Sequence, residues 1–143
     1  MLCLPVKEFL FWKKKQLSKG GDNQSFDFLL DSIGGLSKSK LNLLSIHQEG
    51  NLSLKKNLDH LETIWDDHLL SSTPIQYLCG IAFWRDLKLK VTDKVLIPRS
   101  ETELLIDIVY NLFGKASNKL CFAELGTGSG AISIALALAY PLS

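Results

Sequence analysis

The sequence predicts an α/β chain in two parts: a small helical domain, then the opening strand–turn–helix unit of a parallel-sheet domain. Three observations carry this expectation. Apolar residues recur at helical spacing over residues 1–72. At Ser71-Ser72-Thr73-Pro74 the texture changes to short, strand-like apolar runs. Around Glu124 an apolar stretch without alternation runs into three alternating glycines, and then into a strongly apolar helix. The implied boundaries are 1–72 for the helical domain, 73–99 for a β-hairpin linker, and 100–143 for the start of the second domain, which is expected to be truncated.

The elements follow in order. Leu4, Phe9, Leu10, Trp12 and Leu17 predict a first helix ending near Gly20-Gly21. Phe26, Leu29, Leu30 and Ile33 predict a second, stopped by Gly34-Gly35, and Leu41, Leu43, Leu44 and Ile46 a third, ending near Gly50. The longest spans Leu54 to Leu70, carries Leu54, Leu58, Leu61, Ile64, Trp65 and Leu69, and has Ser53 as its expected cap. Ile81–Trp84 and Leu87, Leu89, Val91 read as paired strands joined at Arg85-Asp86, with Val95-Leu96-Ile97 as a third, ended by Pro98. Ser100-Glu101-Thr102-Glu103 fits a capping box for a helix bearing Leu104, Leu105, Ile108, Val109 and Leu112, closed by Gly114. Leu120-Cys121-Phe122-Ala123 reads as an interior parallel strand.

Composition sets the bounds. A chain of 143 residues makes one ordinary domain or two small ones, and 46% hydrophobic with 22% charged residues is globular. A formal net charge of +1 supplies no global field toward nucleic acid or an anionic membrane. Cys3, Cys79 and Cys121 are odd in number and scattered, and read as buried small hydrophobes in a reducing compartment. The apolar N-terminus is no signal peptide by its charges: Lys7 and Glu8 interrupt it, and Lys13, Lys14 and Lys15 follow it. No uninterrupted run of roughly 18 apolar residues occurs, so no membrane span is expected and the default location is cytoplasmic.

Glu124-Leu125-Gly126-Thr127-Gly128-Ser129-Gly130, followed by the helix from Ala131 to Tyr140, is the strand–turn–helix arrangement that binds nucleotide-like ligands. Glycines let the backbone turn sharply and let a ligand approach where a Cβ would intrude. Gly126, Gly128 and Ala131 also satisfy the dinucleotide pattern, so an NAD-type site is one alternative, and a tight turn without ligand is another. Glu124 argues against a pyrophosphate, because a carboxylate beside the turn repels it. The same carboxylate suits the cationic amino-acid end of S-adenosylmethionine. For S-adenosylmethionine the expected contacts would be Glu124, Gly126, Thr127, Gly128, Ser129 and Gly130.

Upstream lie Pro74-Ile75-Gln76-Tyr77-Leu78-Cys79-Gly80, then Phe83-Trp84 and Leu87, then Val95-Leu96-Ile97-Pro98-Arg99-Ser100-Glu101-Thr102-Glu103. This stretch resembles the release-factor glutamine methyltransferases, with their P-x-Q-Y-x-x-G segment, strand pair and I-P-R-P-E-T-E signature ahead of the glycine loop. Ser100 stands where that family usually has proline. The resemblance is specific from Pro74 to Tyr140 and architectural before it, since the family also begins with a small helical domain. It implies a class I S-adenosylmethionine-dependent methyltransferase of Rossmann-like fold. The implied activity is methyl transfer to the side-chain amide of a glutamine in a peptide chain release factor. It also carries Thr102 over as a cofactor contact, beside the plainer reading of a first-turn helix residue. Arg99 is expected to pair with Glu103 or Glu124.

The family's Asn-Pro-Pro-Tyr motif, which grips the substrate amide, does not occur in these 143 residues. The expectation is therefore a fragment inactive by itself, with no catalytic residue to name. Two other readings stay open. One is a fragment of another amide or adenine methyltransferase, which the Pro98–Glu103 signature disfavours. The other is a non-catalytic helical interaction module using the face of residues 53–72. His47, His60 and His68 lack metal-ligand spacing, Lys13–Lys15 reads as a solvated helix end, and Trp12, Trp65 and Trp84 read as core anchors.

Overall fold

The computed structural model describes residues 1–114 and 120–141. They fall into two compact units, Met1–Cys79 and Gly80–Ser143. The expected range 100–143 takes in residues 115–119 and 142–143, which lie outside the described residues.

The first unit is helical around one small sheet. β1 (Leu2–Pro5) pairs antiparallel with β2 (Asn51–Leu54), setting Leu2 opposite Leu54 and Leu4 opposite Leu52. Between them come α1 (Val6–Leu17), α2 (Asn23–Leu29), a π-turn (Leu30–Gly34) and α3 (Lys38–Ile46), and after them α4 (Leu58–Ser71) and α5 (Ile75–Cys79). Two expectations are corrected here. Leu4 lies in a strand before the first helix, and Leu54 in a strand before the longest one. Ser53, opposite Cys3, therefore caps nothing; the cap is Asn57, whose side chain accepts from the His60 N–H at 3.1 Å. The pairing buries Leu4, Leu52 and Leu54 on the core side, more than a frayed helix end would offer.

Aromatic rings fill the centre of this unit. Phe26 meets Trp65 edge-on, with centroids 4.7 Å apart at 89°, and Trp12 lies 5.6 Å from Phe26. Trp65 is fully buried, and its indole N–H donates to the Gln16 carbonyl at 3.2 Å, so its one polar atom is satisfied. At the surface Lys19 bridges Glu62 and Asp66, each at 2.7 Å. Its hydrogen bonds to Asp66 and then Glu62 raise the ammonium's pKa, and the bond from Lys19 lowers that of Glu62. Within the basic run, Lys13 pairs with Asp27.

The second unit begins with a hairpin, β3 (Ile81–Trp84) and β4 (Leu87–Lys90), joined at Arg85-Asp86 as expected. A 3₁₀ turn (Ser100–Thr102), α6 (Glu103–Phe113) and α7 (Ala131–Ala139) follow. Its core gathers Trp84, Leu89, Ile106, Ala131, Leu136 and Tyr140. The Trp84 indole N–H donates to the Arg99 carbonyl at 2.8 Å, and the Tyr140 hydroxyl to the Gly114 carbonyl at 2.9 Å. Trp12, Trp65 and Trp84 are all buried, as core anchors should be.

Several expectations fail in this unit. Val95-Leu96-Ile97 is not a strand; the Val95 N–H closes a turn onto the Thr92 carbonyl at 3.1 Å. No capping box forms, because Glu103 accepts from the Arg85 backbone N–H at 3.2 Å and Ser100 lies inside the 3₁₀ turn. Arg99 forms no ion pair with Glu103 or Glu124 among the described residues; Glu103 is taken by Arg85, which also pairs with Asp107 at 2.9 Å. The face of α6 that packs is centred on Ile106, 2% exposed, whereas Leu104 is 61% exposed and Leu112 is exposed with it. Leu120–Ala123 forms no strand, since no described strand lies beside it to complete a ladder. Cys3 and Cys121 are exposed rather than buried, and Cys79 is half-buried, with desolvation raising its thiol pKa. The structure is thus mixed helix with two small antiparallel sheets, compatible with an α/β class. No described helix is long and apolar enough to cross a membrane.

Asp22 caps α2 by accepting from the Ser25 N–H at 2.9 Å, which is the main reason its carboxyl pKa is lowered. A lowered pKa contributes stability above the ordinary carboxylate range, and that contribution is lost as the pH falls through the folded-state value. Asp22→Ala is therefore expected to destabilise the chain by about 1 kcal/mol at neutral pH. The difference from wild type should vanish in strong acid, as chemical denaturation at both pH values would measure.

Candidate functional site

The site is built by a backbone reversal. Past Leu120–Ala123, Gly126, Gly128 and Gly130 take φ of 73°, 56° and 78°, a left-handed region that costs a Cβ-bearing residue about 1 kcal/mol or more each. A hydrogen bond from the Gly130 N–H to the Thr127 carbonyl, 2.9 Å, tightens the turn. The Ile134 N–H then bonds the Gly130 carbonyl at 2.9 Å and starts α7. Nothing lies within 4 Å of where a Gly126 Cβ would stand, and only the Gly126 carbonyl, at 3.9 Å, near that of Gly128. A Gly130 Cβ would meet the Ile134 side chain at 3.4 Å, so the open backbone is that of Gly126 and Gly128, the condition for a ligand to approach closely there.

Glu124 stands where the apolar stretch meets this turn. Its Oε2 accepts from the Ser133 backbone N–H at 3.1 Å and from the Ser133 hydroxyl. Ser133 is the third residue of α7, so the carboxylate caps one of the unpaired amides at that helix start. Both donors land on one oxygen; Glu124 Oε1 accepts no hydrogen bond from any described residue. A cavity of about 290 Å³ is lined by Glu124 and Ser133 together with the apolar Phe122, Ala123, Ile132, Leu136 and Ala137; the glycines of the turn are not among its lining residues.

Of the residues singled out from the sequence, Glu124, Gly126, Thr127, Gly128, Ser129 and Gly130 all lie on this turn. Thr102 ends the 3₁₀ turn ahead of α6, with its N–H on the Arg99 carbonyl at 3.2 Å and no hydrogen bond to the glycine turn. Ser133 was not among them. A hydroxyl residue at the third helical position, following an acidic residue across a glycine turn, is the signal that could have found it. No group of His, Cys, Asp and Glu among the described residues could hold a metal ion. His68 instead sits with Nδ1 2.6 Å from the Thr73 carbonyl.

The turn thus sets left-handed glycines beside a carboxylate whose second oxygen takes no hydrogen bond from a described residue. No family model matches the chain. It is 47% identical over 138 residues to the release factor glutamine methyltransferase of Prochlorococcus marinus, covering 96% of this chain and 47% of that protein. It is 36% identical over 143 residues to the enzyme of that name from Synechocystis sp., covering 94% of this chain and 47% of that protein. With that of Lactococcus lactis it shares 49% over 71 residues, 50% of this chain and 26% of that protein. The chain is thus a sequence relative of the release factor glutamine methyltransferases along almost its whole length. It spans about half the length of the curated relatives it matches.

Removing the Glu124 carboxylate should leave the Ser133 amide uncapped. Glu124→Ala is expected to loosen the first turn of α7 by about 1 kcal/mol, measured as reduced hydrogen-exchange protection there, with α4 protection unchanged.

Proposed function

We propose that this chain is part of an S-adenosylmethionine-dependent methyltransferase that methylates the side-chain amide of a glutamine in a peptide chain release factor. The observation that carries the reading is the coincidence of two independent things. One is a Glu124–Gly130 turn with three left-handed glycines and a carboxylate oxygen to spare. The other is similarity, over 96% of the chain, to an enzyme bearing that name.

In this reading the turn is the opening of a Rossmann-like domain. Glu124 and the backbone of Gly126–Gly130 hold the cofactor, with Thr127 and Ser129 between the glycines and Thr102 contributing from the 3₁₀ turn. Glu124 attracts the ammonium of the amino-acid end, and the glycines bring the backbone close to the rest of the molecule. When bound, S-adenosylmethionine supplies an electrophilic methyl group on a sulfonium. The acceptor is a weak nucleophile, since resonance ties up the amide nitrogen's lone pair. Positioning that nitrogen and hydrogen bonding to it are therefore the substance of catalysis. The Asn-Pro-Pro-Tyr segment expected to do this does not occur in the 143 residues. The protein partner is the release factor; a net charge of +1 offers little drive to bind nucleic acid directly. A cytoplasmic location and the division at 1–72, 73–99 and 100–143 belong to the same proposal.

A second reading, a helical interaction module, is favoured by one observation: Met1–Cys79 is compact and has its own core. Binding separates the two. Equilibrium dialysis with labelled S-adenosylmethionine is expected to show uptake by the chain and none by Gly128→Val, whose side chain would need a strained φ and would enter the ligand's space. Equal uptake by the variant would rule out the turn as the site, and no uptake by either would leave the module reading. With a release factor added, the 143-residue chain is expected to transfer no methyl group to glutamine. Measurable transfer would mean that other residues of this chain hold the amide.

A further inference from the structure

We infer that Ser133 is a positioning residue for the cofactor's amino-acid end, acting through Glu124. The inference rests on the S-adenosylmethionine reading above and deepens it. The geometry is specific. Ser133 N–H (3.1 Å) and Ser133 Oγ–H both donate to Glu124 Oε2, and neither reaches Oε1. A glutamate side chain has three rotatable bonds, so an unheld Glu124 would sweep its charge over several ångströms of solvent. Two donors on one oxygen hold that oxygen in place and remove most of that freedom. The other oxygen is left with lone pairs for a ligand donor.

The position of Ser133 in the chain matters as much. As the third residue of α7 it is anchored by the helix that the glycine turn starts, through the bond from Ile134 N–H to the Gly130 carbonyl. The turn and the carboxylate are therefore tied to the same rigid element. An ammonium bound at Oε1 stays in register with the rest of a cofactor lying on the glycines. Glu124 and Ser133 are the two polar residues among those lining the cavity, so the carboxylate is the anionic group that a cationic ligand meets there.

The test uses the 143-residue chain and two ligands, by isothermal titration. One is S-adenosylmethionine. The other is 5′-methylthioadenosine, which has the same nucleoside and sulfur but no ammonium. Ser133→Ala is expected to weaken S-adenosylmethionine about fivefold, in line with one charge-assisted hydrogen bond made less well. Methylthioadenosine should be unaffected, and Ser133→Thr, which keeps the hydroxyl at the same helix position, should restore the wild-type affinity. An unchanged affinity for S-adenosylmethionine in the alanine variant would overturn the inference. So would an equal loss for both ligands, or a failure of threonine to restore binding, since either points to a merely structural role. If the wild-type chain binds S-adenosylmethionine nowhere, the cofactor reading itself falls and takes this inference with it.

Discussion

The second unit depends on a reversal of backbone direction between Glu124 and Ala131 that only left-handed φ values can make. Three glycines at alternate positions supply it, each with a φ between 56° and 78°. The consequences spread from there. The reversal starts α7 at Ala131, which sends Leu136 and Tyr140 into the small core beside Ile106 and Trp84. It also brings the third residue of that helix back to the carboxylate that precedes the turn. A Cβ at any of the three glycines would oppose the reversal, and everything downstream would lose its anchor.

The two units are stabilised differently. Met1–Cys79 has a filled aromatic centre, with Phe9, Phe26 and Trp65 fully buried and the Trp65 indole N–H satisfied. The unit from Gly80 has a thinner core, and Leu104, Leu112, Leu125 and Leu138 lie exposed on its surface. Apolar surface of that extent raises the propensity of a chain to associate. Its order relies on polar clamps: Arg85 onto Asp107 and the Glu103 carbonyl, Trp84 onto the Arg99 carbonyl, Tyr140 onto the Gly114 carbonyl.

Local pattern was enough where local forces decide. The bodies of α1 to α4 and α6, the hairpin at Arg85-Asp86, the start of α7 and the burial of three tryptophans all follow from spacing and turn residues. Pattern failed where a partner distant in sequence decides. Leu4 and Leu54 fit helical spacing, yet their segments pair with each other across 45 intervening residues to cover the core. Val95–Ile97 and Leu120–Ala123 have strand composition, but a strand is defined by its ladder, and the described ladders are β1 with β2 and β3 with β4. The glycine turn was legible because its chemistry is local. Ser133 was not, because its role comes from a reversal that brings it back across nine positions to Glu124.

The proposed seat of S-adenosylmethionine is the turn from Glu124 to Ser133. Amide chemical-shift mapping during titration of the ¹⁵N-labelled chain tests it most directly, since each glycine of the turn reports separately. Saturable shifts are expected at Gly126, Gly128, Gly130 and Ser133, with the amides of α1 to α4 unmoved. Shifts confined to Met1–Cys79, or none at any concentration, would contradict it.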